Sequence, residues 1–332
     1  MVGLQEGLML IKFAVKAQGI SHVEKGAPCQ DAAIAHLGLD NTVGVACVAD
    51  GHGGEKYFRS ARGAELAVNI ASKSILDFFG TILSEKADYF SQKVDNEEAS
   101  KGEILSKLKQ LEGNIIYNWR KAVADDFAKD PLNETELEFC NEKNITIDEL
   151  EKPMFIYGTT LLAGLVSDNF WFTIQIGDGL CVLVENEENI KVPIQEDERL
   201  GFGKTTSLSE SDAIKSFRES FGFCKIQGLT LATDGISDSF EPEKYLQFNK
   251  ELFDKFSRFP EKAERELQEF IPIISERGSR DDVSMAGIFR MIESKPKETT
   301  IENDSKEMKN EEQVEKQEIV MVEERSKIDI KV

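Results

Sequence analysis

The sequence predicts an α+β fold built on antiparallel β-sheet, and three observations predict it. Short apolar runs of strand length come in neighbouring pairs joined by turn residues, the pattern of antiparallel pairing. Two long segments of helical periodicity stand together after the first strands, and two more stand before the last strand. The resulting order is strands, two helices, strands, two helices, strand. It lacks the strict alternation of a doubly wound sheet.

Residues 8–17 read as the first strand. Residues 31–37 and 43–49 read as the next two, with Leu39-Asp40-Asn41 as their turn. The run Val43 to Ala49 is nearly all small or apolar, which suits a strand buried on both faces. Val68, Ala71, Ile75 and Phe78 recur at helical spacing. Ile104, Leu108, Leu111, Ile115, Trp119, Val123 and Phe127 give the clearest amphipathic stripe, and its plain reading is core packing. The polar, acidic stretches near 85–100 and 128–152 read as surface insertions. Strands return at 158–166 and 169–177 around the turn Ser167-Asp168-Asn169, and again at 180–185. A short helix is expected around 210–220, a strand over 229–233, helices over 243–257 and 261–276, and a last strand over 283–290.

No aromatic residue follows Phe289, and residues 292–332 carry 8 basic and 12 acidic side chains. The expected organisation is one domain over 1–291 and a charged, disordered tail over 292–332. The formal charge of the whole chain is −21, so the body is acidic as well as the tail. Clustered Lys and Arg are what nucleic acid and anionic membranes require, and neither partner is expected. The five cysteines are widely spaced without a CxxC pair, which suits a reducing compartment and not a zinc ribbon. Residues 8–15 are too short and too interrupted for a secretory signal, and no stretch approaches membrane-spanning length. A cytoplasmic location follows as an expectation.

The acidic residues that matter are those at strand ends. Asp50, Asp178 and Asp234 each end an apolar strand, each followed at once by Gly. Asp281 stands just before the last strand, beside Asp282. Asp is a poor strand residue and is costly to bury alone. One Asp-Gly is usually just a turn. Several after β runs, with Asp50-Gly51-His52-Gly53-Gly54 among them, point to one shared cluster. Crowded carboxylates repel until a cation neutralises them, and hard divalent cations prefer oxygen. Glycine after each Asp frees the backbone to turn.

Val48-Ala49-Asp50-Gly51-His52-Gly53-Gly54 resembles the signature of the type 2C (PPM) metal-dependent protein phosphatases. Further motifs follow in the family's order over about 10–290: Gln30-Asp31, Gly158-Thr159-Thr160, Ile176-Gly177-Asp178-Gly179, Leu231-Ala232-Thr233-Asp234-Gly235 and Ser279-Arg280-Asp281-Asp282-Val283-Ser284. The resemblance implies two antiparallel sheets packed as a sandwich with helices on both outer faces. It implies hydrolysis of phosphoserine and phosphothreonine in proteins, a kinase's targets, with two Mg²⁺ or Mn²⁺ ions. By the same resemblance Asp50 bridges both ions and the Gly51 carbonyl binds one, while Asp234 and Asp281 complete the other. Asp178 with Asp234 holds a further, weaker ion. Asp31 accepts from metal-bound water, Gln30 stands beside it, a hydroxide between the ions attacks phosphorus, and His52 is the general acid.

Three positions depart from the pattern. Gln30 replaces an acidic residue, Asp282 stands where many relatives have Asn, and the phosphate-gripping Arg is missing. His22 and Lys25 are the nearest substitutes for that Arg. Ser21-His22 with the later Gln30-Asp31, and Lys204-Thr205-Thr206 as a short flap, resemble the bacterial branch. His36, in a strand-like run without a motif, reads as structural. Gly201-Phe202-Gly203-Lys204-Thr205 imitates a P-loop but has Glu198 where the first glycine belongs. Two alternatives stay open on sequence: a pseudophosphatase that keeps the fold as a binding module, and a two-metal hydrolase of a small phosphoester.

Overall fold

The computed structural model describes residues 9–38, 41–85, 97–145, 153–186, 188–194 and 205–292. Its strands are β1 (Leu10–Ala17), β2 (Ala32–Gly38), β3 (Val43–Ala49), β4 (Leu161–Val166), β5 (Trp171–Ile176), β6 (Leu180–Val184), β7 (Ile190–Lys191), β8 (Arg218–Gly222), β9 (Gly228–Ala232) and β10 (Val283–Arg290). Its helices are α1 (Ile20–Lys25), α2 (Ser60–Glu85), α3 (Glu97–Lys129), α4 (Glu134–Glu142), α5 (Asp234–Ser237), α6 (Pro242–Phe256) and α7 (Pro260–Arg277). The strands form two five-stranded sheets, ordered β1-β10-β9-β6-β7 and β2-β3-β4-β5-β8. Every strand pair in both sheets is antiparallel.

Three layers of apolar side chains show why β3 and β4 have no polar face. Val45 and Cys47 of β3 pack with Leu161, Ala163 and Leu165 of β4 under α2 and α3. Ala46 and Val48 of β3 and Leu162 of β4 point the other way, onto Leu183, Leu229, Leu231, Ala286 and Ile288 of the second sheet. Beyond that sheet, Phe13, Val182, Met285 and Phe289 pack against α6 and α7. This is a sandwich with helices on both outer faces, as the resemblance implies. Central strands buried on both faces read as continuous apolar runs because neither face meets water.

The amphipathic stripe expected over 104–127 lies on α3, and Ile104, Leu108, Leu111, Ile115, Trp119 and Val123 are all buried in the core that α3 shares with α2. Glu112 on the same helix is buried too, with Lys109 Nζ 2.9 Å from its Oε2 and no partner for its Oε1 among the described residues. Burial pushes the Glu112 carboxyl up to about 7 against the pull of Lys109.

One element differs in kind. The helix expected around 210–220 is a single 3-10 turn at Ala213–Lys215 followed by strand β8. The open edge of β5 offers backbone groups to Arg218–Gly222, and pairing them outweighs the weak helical pattern. The segment after the long helices also holds more than a loop: Asn133 caps α4 with a reciprocal capping box to Glu136. The turn residues 39–40, the insertion over 86–96, the P-loop imitation at 201–204 and the tail from 293 lie outside the described residues. Among the described residues, no helix is long and apolar enough to cross a membrane.

Candidate metal centre

The site forms where β3, β5 and β9 end and β10 begins. Asp50, leaving β3, is clamped by the segment before β4. Thr160 N and Thr159 Oγ1 donate to the Asp50 carbonyl at 2.8 and 2.9 Å, and Asp50 N donates to Thr160 Oγ1 at 2.9 Å. The chain then turns through Gly51, whose N donates to the Gln30 carbonyl at 3.2 Å. A Cβ on Gly51 would stand 2.7 Å from that carbonyl and 2.8 Å from Ser60, so only glycine fits. His52 N donates to Gly158 O at 3.0 Å. The Gly158-Thr159-Thr160 motif thus holds the backbone that carries Asp50 and His52.

Asp178 sits in the turn between β5 and β6, after Gly177 at φ 106°. The Gln175 side chain donates to the carbonyls of Gly177 and Gly179 and fixes that turn. Asp234 opens α5, just after β9. Asp50, Asp178 and Asp234 bring one carboxylate oxygen each within 4.8 Å of one another. Asp31 lies beside them, 1% exposed. Its Oδ2 accepts from Thr233 Oγ1 at 2.7 Å, while its Oδ1 is buried with no partner among the described residues.

Burial is the main force on these groups and mutual repulsion adds to it. The Asp31 carboxyl is pushed up to about 7 and that of Asp234 to about 8. Asp50 is raised well above the usual carboxylate range by burial and by Asp31, Asp234, Asp281 and Asp178. Such a set is unfavourable by itself and favourable around a cation. Oxygen donors this close, with one buried oxygen left bare, fit a hard divalent ion.

The side of the site formed by α1 and the Asp281–Asp282 loop is built differently. Asp282, 3% exposed, accepts from Gly19 N at 2.6 Å, from Gln30 N at 2.6 Å and pairs with His22 Nδ1 at 2.8 Å. That leaves His22 Nε2 facing Asp281, 3.8 Å from its Oδ1. The Asp281–Asp282 loop is pinned to α1: Ser21 N donates to Arg280 O, and Arg280 pairs with Glu24 at 2.7 Å. Arg280 holds φ 66°, a left-handed conformation that this clasp maintains. The Gln30 amide donates to Ser60 Oγ at 2.7 Å. Its other atom, Oε1, faces Gly53.

A family model described as protein phosphatase 2C matches residues 18–271. The chain belongs to the protein phosphatase 2C family. Curated protein sequences give no match. Similar solved structures include the Mycobacterium tuberculosis serine/threonine phosphatase PstP/Ppp, at 17% identity over 86% of this chain and 100% of that one, with TM-score 0.49. A catalytic domain of PstP in complex with 2 manganese ions is similar at 16% identity, 86% and 100% coverage and TM-score 0.47. Stp1 from Staphylococcus aureus is similar at 14% identity, 89% and 99% coverage and TM-score 0.46. Membership rests on the family model and not on these likenesses.

In this type 2C phosphatase the expected ligands are not equally placed. Asp178, expected to serve a weaker ion, belongs to the tightest trio. Asp281, expected to complete the main pair, lies at the rim with its side chain 57% exposed, and its Oδ1 accepts from Asp282 N at 2.8 Å. Lys25 is exposed in the last turn of α1 and has no partner among the described residues. His36 stands exposed on β2, opposite Val45. His52 packs edge-on against Tyr57, ring centroids 4.9 Å apart, and burial pulls its imidazole down to about 4. Sequence reasoning missed Ser60, which orients Gln30, and Arg59. Arg59 ties Glu136, Tyr157 and the carbonyl of Asp130 together behind the His52 loop. Arg59 follows the glycine cluster by only five residues, yet nothing local marks it.

Proposed function

We propose that this phosphatase hydrolyses phosphoserine and phosphothreonine in protein substrates, the products of a kinase, at the carboxylate cluster. The observation that carries the reading is the convergence of Asp50, Asp178 and Asp234 on one point beside the bare Oδ1 of Asp31. Asp50, Asp178, Asp234 and Asp281, with the Gly51 carbonyl, would hold two or more Mg²⁺ or Mn²⁺ ions. Bound there, the ions supply Lewis acidity that makes a water nucleophilic at neutral pH and offsets charge on the phosphoryl oxygens.

The chain's own groups do the rest. Asp31, held by Thr233, orients water through its free oxygen. Gln30 offers a neutral oxygen where the family pattern has a carboxylate, and Ser60 keeps that oxygen turned toward Gly53. His52 stands two residues beyond Asp50, on the backbone that Gly158 fixes, in the position of a proton donor to the leaving alkoxide. Its burial favours the neutral ring, and the charge of a bound phosphate favours the protonated one. A cytoplasmic setting suits the free cysteines.

The test is hydrolysis of p-nitrophenyl phosphate and a phosphothreonine peptide, with Mn²⁺ and with EDTA. Turnover of both, lost in EDTA, supports the reading. A folded protein inactive in every condition would make it a binding module. Activity on small phosphoesters alone would move the substrate class.

A further inference from the structure

We propose that His22 is a nitrogen ligand of the metal centre and biases it toward ions that accept imidazole. The proposal rests on the reading of Asp281 as a metal ligand. Its own evidence is the pair His22–Asp282. A histidine that binds a metal through one ring nitrogen almost always donates the other N–H to a carboxylate or carbonyl, which fixes the tautomer. Here Nδ1 lies 2.8 Å from Asp282 Oδ2, and the two backbone N–H groups on Asp282 hold that carboxylate in place. With Nδ1–H donated to Asp282, the other ring nitrogen, Nε2, is the one turned to Asp281, 3.8 Å from its Oδ1. Two donors each about 2.1 Å from one ion lie between roughly 3 and 4.2 Å apart, depending on their angle. The observed separation falls in that window.

The pair also accounts for two departures from the family pattern at once. Asp282 replaces a neutral residue because it must hold an imidazole, and His22 occupies ground where the pattern has an Arg. A rigid imidazole is a poor replacement for a guanidinium grip on phosphate, but a good ligand. Imidazole suits Co²⁺, Fe²⁺ and Zn²⁺, whereas Mg²⁺ keeps to oxygen.

The test uses the full chain loaded with Mn²⁺ and labelled with ¹⁵N-histidine. The sequence has three histidines, so pulsed EPR of the bound ion has few candidates to separate. Nitrogen coupling is expected in the unaltered protein and in His52→Gln, and is expected to vanish in His22→Gln. Calorimetry should show Co²⁺ affinity falling about 10–100-fold in His22→Gln, with Mg²⁺ affinity nearly unchanged. Asp282→Asn should weaken Co²⁺ in the same direction, and circular dichroism checks that each variant folds. Absence of coupling in the unaltered protein, or its survival in His22→Gln, overturns the proposal. So does unchanged Co²⁺ affinity with weakened binding of inorganic phosphate, which would make His22 a phosphate contact. Asp50→Asn separates the two layers: if it binds Mn²⁺ normally, the metal assignment itself has failed.

Discussion

Asp31 and Asp282 are neighbouring buried carboxylates, 1% and 3% exposed, and the protein treats them in opposite ways. Asp282 is satisfied from within, by two backbone N–H groups and an imidazole. Asp31 keeps one oxygen without a partner among the described residues, and the charges near it, Asp282 and Asp281 with Asp50 and Asp234, all repel it. The contrast separates a carboxylate that orients other groups from one left open to a ligand. A buried charge whose partners are complete holds the fold, and one left incomplete awaits something the chain does not supply.

The widest test of that contrast is Asp50→Asn. Turnover of p-nitrophenyl phosphate in Mn²⁺ should fall to its level in EDTA, more than the ~100-fold that losing an outer partner costs. In EDTA the same variant should resist urea better than the unaltered protein, because one repelling charge is gone. Near-normal turnover would break the comparison. His52→Ala should slow a phosphothreonine peptide by about 10²–10⁴-fold and an aryl phosphate far less, since a good leaving group needs no proton. Equal losses on both substrates would remove His52 from that role.

Asp282→Ala acts on the other carboxylate. It strands the N–H groups of Gly19 and Gln30, and urea unfolding should show a loss of about 3 kcal/mol or more, with or without cation. A loss seen only with cation would show that Asp282 acts solely through His22 and not through the backbone it binds. The smallest effect lies away from the site, at Glu112. Its carboxyl is raised from 4.5 to about 7 in the fold, so its contribution is whole below 4.5 and is lost as pH rises through 7. The unaltered protein should lose on the order of 3 kcal/mol across that interval relative to Glu112→Gln. Parallel stability curves for the two proteins would show that Lys109 already offsets the burial.

What is legible in the sequence is whatever repeats along the chain or sits within a few residues. β3 and β10 fall at the expected residues because both are uninterrupted apolar runs. Asp50, Asp178 and Asp234 are marked by the glycine after each. What is not legible depends on distant partners. His22 and Asp282 are 260 residues apart, and neither carries a local sign of the other. Arg218–Gly222 is a strand only because β5 has an edge to offer. The relative standing of Asp178 and Asp281 is a matter of tertiary distance, which no spacing encodes.

Strand β10 lies between β1 and β9, pairing with all eight residues of β1. Without it β1 is cut off from β9 and has no strand to pair with among the described residues. A ribosome must therefore release residue 290 before the first strand finds its place and before Asp31 and Asp281 can meet. Until then the carboxylates of the site belong to separate, unassembled pieces of sheet.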